Sequence, residues 1–175
     1  KFIPSDWRED LRPEIMNLLE ARSYELRTNA VHLAVDLKER ENNDWLNDPE
    51  FEKRPGIPGQ QVLIPVLFYR YFLLDDQKAL QELVDRTSNA YDFLTRINAI
   101  SALANTSISD KTYLHHLFQA LFDPNWKLSS TARGELRRLY QDEDAKKIID
   151  TFIQENQDKW EDFQNRRVQR TFESN

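Results

Sequence analysis

The chain contains no cysteine, which excludes disulfides, thiol nucleophiles and cysteine-ligated zinc and leaves the compartment open. It has only three glycines, and two of them, Gly56 and Gly59, share one loop. Sheets want glycine at hairpin turns, so this scarcity favours helices. Long apolar runs are missing too. The longest, Val62 to Leu74, is interrupted by Arg70 and falls short of the roughly 20 residues that span a bilayer. Positive charge is in deficit, with 24 Lys and Arg against 30 Asp and Glu and a net charge of −6. Contact along a phosphate backbone requires clustered cations, so nucleic acid is a disfavoured partner. No secretory leader is visible. The first residue is Lys1 rather than Met, so the chain is expected to be a piece or a processed form of a longer product.

What is present is the material of a folded protein. A length of 175 residues suffices for a substantial core and is most simply one domain spanning 1–175. Hydrophobic residues at 39% and charged ones at 31% argue against disorder. The acidic excess lies in the first half, with 12 basic and 17 acidic residues through Ser88 and 12 against 13 after it.

Apolar spacings of three and four predict helices almost throughout. One starts at Pro13, with Ile15, Leu18 and Leu19 on one face; a second runs through Leu26, Ala30, Leu33 and Leu37 to about Arg40. Residues 41–60 break the rhythm with Asp48-Pro49, Arg54-Pro55 and Gly56-Ile57-Pro58-Gly59 and are expected to be an irregular loop. Further helices are predicted over Gln61–Leu74, Asp76–Asp85 and Asn89 to about Ala104. The last of these takes Asn89 as its cap and turns Phe93, Ile97, Ile100 and Leu103 inward. Asp110 is expected to cap a helix carrying Leu114, Leu117, Phe118 and Leu121. Asp123-Pro124 opens another to about Tyr140, and Asp142 or Asp144 begins one carrying Ile149 and Phe152. A capping helix over about 158–172 bears Trp160, Phe163 and Val168.

An internal repeat is the most informative pattern. With Asn29-Ala30, Asn98-Ala99 and Thr131-Ala132 in register, the alanines are separated by 69 and 33 positions. The larger gap is about two periods, with the Pro65 helix as the middle copy. A small residue at this place lets neighbouring helices approach closely. One helix pair cannot bury both apolar faces, so copies must stack. The segment Asp123-Pro124-Asn125-Trp126-Lys127-Leu128, followed by Ala132, Leu136 and Leu139, resembles a HEAT repeat. Tyr91 to Ala104, with Arg96 and Ala99, resembles a second, and Leu26-Arg27 with Ala30 a third. The resemblance implies an all-α, α-α superhelix of the HEAT/armadillo kind, of about four helix pairs with a C-terminal capping helix. It also implies a scaffold or adaptor role.

No pattern of catalytic residues accompanies this. His32 sits alone, and His115 and His116 are adjacent and point about 100° apart on a helix. Neither a paired-His metal motif nor a His-Asp-Ser arrangement is present. Asp75-Asp76 and Asp142-Glu143-Asp144 fall where helices begin and read as caps. A non-enzymatic protein is expected, without cofactor or metal site. Its candidate partner contacts are Trp45, Phe51 and Arg54 in the irregular loop, Tyr69 and Arg70 in an aromatic run, and His115 and Gln119 on the second helix of a pair. Lys146 and Asp150 are further groove candidates. Arg70 is expected to pair with Asp75 or Asp36. The Trp45 and Phe51 side chains either cover the stack or anchor a partner. The expected function is a protein–protein interaction or scaffold module. The alternatives are an accessory helical domain of an enzyme such as a metallopeptidase, and an acidic inhibitor or immunity protein that masks a basic partner. A HEAT-type DNA-repair glycosylase is opposed by the net charge.

Overall fold

The computed structural model describes residues 13–14, 17–18, 21, 23–36, 64–106 and 111–173. Among these residues all regular structure is helical and there is no strand. No helix among them is long and apolar enough to cross a membrane. The segment 41–60 lies outside the described residues, as does most of the helix expected from Pro13. The chain divides into two compact units, residues 1–82 and 83–175.

In the first unit, α1 (Tyr24–Asp36) packs against α2 (Ile64–Leu74). Arg27, Ala30 and Val31 are buried on α1, the three-and-four spacing of an amphipathic helix. The first turn of α2 is buried all round, from Ile64 through Leu67. Pro65 causes no break there, because first-turn amides have no partner within the helix. The helix ends at Asp75, whose φ of 54° is left-handed, a conformation that Asp tolerates better than most side chains. Its amide donates to Tyr71 O at 3.0 Å, and the Asp76 amide to Arg70 O at 3.2 Å.

That reversal places Asp76 at the start of α3 (Gln77–Asp85), which begins in this unit and continues into the second from Leu83. Asp76 Oδ1 accepts from the Lys78 and Ala79 amides, and Oδ2 accepts Arg70 Nη2 at 2.6 Å and Nε at 3.0 Å. The expected partners of Arg70, Asp75 and Asp36, are thus replaced by Asp76. Burial pushes the Asp76 carboxyl up, but the Arg70 hydrogen bond, the two amides and the Arg70 charge outweigh it, holding the pKa below the ordinary aspartate value. A lowered folded-state pKa contributes stability above the unfolded value, and this is lost as pH falls through the folded one. Asp76→Asn is therefore expected to destabilise at neutral pH and to lose its effect in urea titrations well below pH 4.

The second unit holds α4 (Phe93–Leu103), α5 (Lys111–Phe122), α6 (Trp126–Leu139), α7 (Glu143–Asn156), a 3₁₀ turn over Gln157–Lys159 and α8 (Asp162–Phe172). Asp92, Asn125 and Asp142 cap α4, α6 and α7 through side-chain oxygens that accept two backbone amides each. Glu161 and Gln164 form a reciprocal capping box on α8. Two expected starts therefore move. The cap of α4 is Asp92 rather than Asn89, because Ser88 to Tyr91 is a turn. The last helix starts at Asp162 rather than near 158, where the chain makes a 3₁₀ turn.

The seventh residue after the cap is buried in α4, α6, α7 and α8: Ala99, Ala132, Ile149 and Val168. It is alanine only in α4 and α6, which pack directly on each other, as close approach requires. Ala30 of α1, the third alanine of the predicted register, is also fully buried.

Arginines bind the ends of these helices. From the last turn of α6, Arg138 Nη2 donates to Ala104 O at the end of α4 at 3.0 Å. Its neighbour Arg137 donates Nε to Thr171 O at 2.8 Å and Nη2 to Arg170 O at 3.2 Å, at the end of α8. The C-terminal ends of α4, α6 and α8 therefore lie together. Arg167 of α8 donates to Leu121 O and Asp123 O, so it joins α8 to the α5–α6 turn and does not merely complement its own helix dipole. Phe118 fills the centre, stacked on Phe152 at 5.0 Å and on Trp160 at 5.3 Å, with Phe122 and Phe172 beside it.

Candidate interaction surface

The first helical residue after a cap precedes the first buried turn, so its side chain projects outward. In α4 and α6 this place is aromatic. Trp126 is 71% exposed, Phe93 is 38% exposed and its neighbour Leu94 is 49% exposed. Phe93 was expected to face inward; the start of α4 at Asp92 makes it the first residue of the helix and turns it to solvent. The Lys127 ammonium lies 5.5 Å from the centre of the Phe93 ring and 5.8 Å from that of Trp126, a cation–π arrangement joining α4 to α6. On α8, Phe163 is 41% exposed at the second helical position, where α4 has Leu94 and α6 has Lys127. Large apolar side chains thus recur on the first turns of α4, α6 and α8.

A polar cleft of roughly 300 Å³ is lined by Thr87, Ser88, Asn89, Arg96, His116, Gln119, Ala120 and Asp123. One wall is a largely buried ion pair, Arg96 Nη2 to Asp123 Oδ2 at 2.6 Å, and Arg96 Nε donates to Thr87 O at 3.1 Å. The Thr87 hydroxyl donates to Val84 O at 2.8 Å and lies 3.2 Å from His116 Nδ1. Burial, then repulsion from His115, lowers the His116 pKa against the opposing pull of Asp85, so the ring is neutral at pH 7.

A histidine with a depressed folded pKa contributes stability above its unfolded value of about 6.5. The contribution is lost as pH falls from there through the folded pKa. His116→Gln is accordingly expected to flatten the pH dependence of stability below about pH 6.5, as read by chemical unfolding. A ring-proton titration in solution should show His116 deprotonating below the ordinary histidine range.

The candidate contacts from the sequence are scattered over the fold. Trp45, Phe51 and Arg54 lie outside the described residues. Tyr69 and Arg70, in the first unit, face different neighbours. Tyr69 Oη is 2.9 Å from His32 Nδ1 on α1, and Arg70 is bound to Asp76. His115 and Gln119 are exposed one turn apart on α5, and Gln119 reaches the cleft while His115 lies edge-on to His116. Lys146 and Asp150 are bonded to each other at 3.0 Å, with Tyr140 donating to Asp150 at 2.8 Å. His116, Phe93, Leu94 and Trp126 were not among the candidates. Trp126 had one usable signal, its place directly after the Asp-Pro-Asn turn. Among the described residues no group of three or more His, Cys, Asp or Glu side chains could hold a metal ion.

Comparison with family models, with curated proteins and with solved structures finds no match. The role of this surface therefore rests on its own chemistry.

Proposed function

We propose that the chain is a non-enzymatic protein-interaction module, built on stacked helix pairs of the HEAT kind. The stacking reading is supported by the alanine register of α4 and α6 and by the joined C-terminal ends of α4, α6 and α8. The interaction reading rests on one observation: a tryptophan that is 71% exposed on the first turn of α6, bridged by Lys127 to the exposed Phe93 of α4. Folded proteins seldom leave an aromatic cluster in water unless something covers it. Tryptophan is also the residue most enriched among those that dominate binding energy.

The test compares the wild-type chain with Phe93→Ser/Trp126→Ser. Both side chains stand on first helical turns outside the fully buried core, so helix content should be kept and the melting temperature should fall only modestly. Quantitative capture experiments should then lose a reproducible set of bound proteins. Retention of every partner by the folded double variant rejects the reading.

A further inference from the structure

The ring pair on α4 and α6 also selects among partners, an inference that rests on the interaction reading above. The carboxylates that cap or precede these two helices are already engaged. Asp92 accepts the Leu94 and Thr95 amides on Oδ1 and the Thr95 hydroxyl on Oδ2. Asp123 accepts Arg96 on Oδ2 and the Asn125 amide on Oδ1. Donors are in the opposite condition. The Lys127 ammonium touches the two ring faces and makes no ion pair among the described residues. The Trp126 indole N–H, on an exposed side chain, has no acceptor among them. Both groups stand at a helix N-terminus, where the aligned peptide dipoles add positive potential.

We infer that this ring pair takes a segment of a partner protein in which a carboxylate sits beside a large aliphatic or aromatic side chain. The carboxylate accepts from Lys127 Nζ and the Trp126 indole, and the apolar group lies against Phe93, Leu94 and the Trp126 ring. A basic segment fits less well, because it would bring a second cation to Lys127, and the two carboxylates at these helix starts, Asp92 and Asp123, already hold other donors. Glu161 and Asp162 belong to the Phe163 end of the row.

Selection from a displayed library of random peptides tests this, using the full chain as bait and Trp126→Ala as counter-bait. The expected result is a set of Trp126-dependent peptides enriched in Asp or Glu next to Leu, Ile, Phe or Trp. Lys127→Gln should weaken them about fivefold, the range of a partly exposed ion pair. Lys127→Glu should shift selection toward Lys and Arg. Trp126-dependent peptides without acidic enrichment, or indifferent to Lys127→Gln, overturn the inference and leave the interaction reading standing. A selection that yields no Trp126-dependent peptide overturns both.

Discussion

Phe118→Ala is expected to destabilise the second unit by about 3–5 kcal/mol, the range for removing a buried phenylalanine. Phe118 is 2% exposed and its ring meets Phe122 of its own helix, Phe152 of α7, Trp160 of the connecting turn and Phe172 of α8. Truncation removes one wall of four aromatic contacts, and rings this large cannot collapse into the space without leaving their rotamers. A loss of that size is a large fraction of the stability of an ordinary domain. Urea unfolding followed by tryptophan fluorescence and by circular dichroism would measure it. Phe118→Leu, which keeps most of the volume, should lose less than half as much. Equal losses for the two variants would mean that aromatic packing is not what holds α5, α7 and α8 together.

The second large effect is expected at the Arg96–Asp123 pair. The two side chains are 14% and 12% exposed and meet at 2.6 Å. Removing one partner of a buried pair strands the other, and allowing for partial exposure, Arg96→Met or Asp123→Asn should each cost about 2 kcal/mol. Arg96→Met also frees the Thr87 carbonyl, so it should be the worse of the two. In a double-mutant cycle the combined variant should be less destabilised than the sum by about 1 kcal/mol or more. Simple additivity would mean that the pair contributes geometry but no coupling.

Much of the helical pattern was legible because it depends on local periodicity. Ala30, Ala99 and Ala132 were readable as close-packing positions from their register alone, and all three are fully buried. The start of α7 was readable as Asp142 or Asp144, and Asp142 is the cap. What failed was phase at helix starts and partner choice across turns. Asn89 and Asp92 are both competent caps, and only the turn at Ser88–Tyr91 decides between them. That choice moves Phe93 from an inward position to the exposed first turn. Arg70 faced two adjacent carboxylates, and the left-handed Asp75 swings its own side chain away and presents Asp76. The inter-helix arginine contacts join residues 33 to 46 positions apart, beyond anything spacing within one helix encodes. The aromatic cluster at α4 and α6 was missed for the same reason, since exposure at a first turn depends on where the cap falls.

Arg137 and Arg138 follow each other on α6 but reach to different helices. Successive residues on a helix diverge by about 100°, so two neighbours suffice to grip two flanking helix ends from one point. A stack whose copies met only by burying side chains could lose an outer copy and leave the rest intact. Here the end of α6 is a shared anchor for carbonyls on both sides, and fraying of α8 strips Arg137 of its acceptors while Arg138 still holds α4. Unfolding that starts at the C-terminal helix should therefore pause at α6, and amide exchange at the end of α8 should open more readily than at the ends of α4 and α6, which Arg138 still joins. The end of α6 is thus the point at which opening of α8 would be halted before it reached α4.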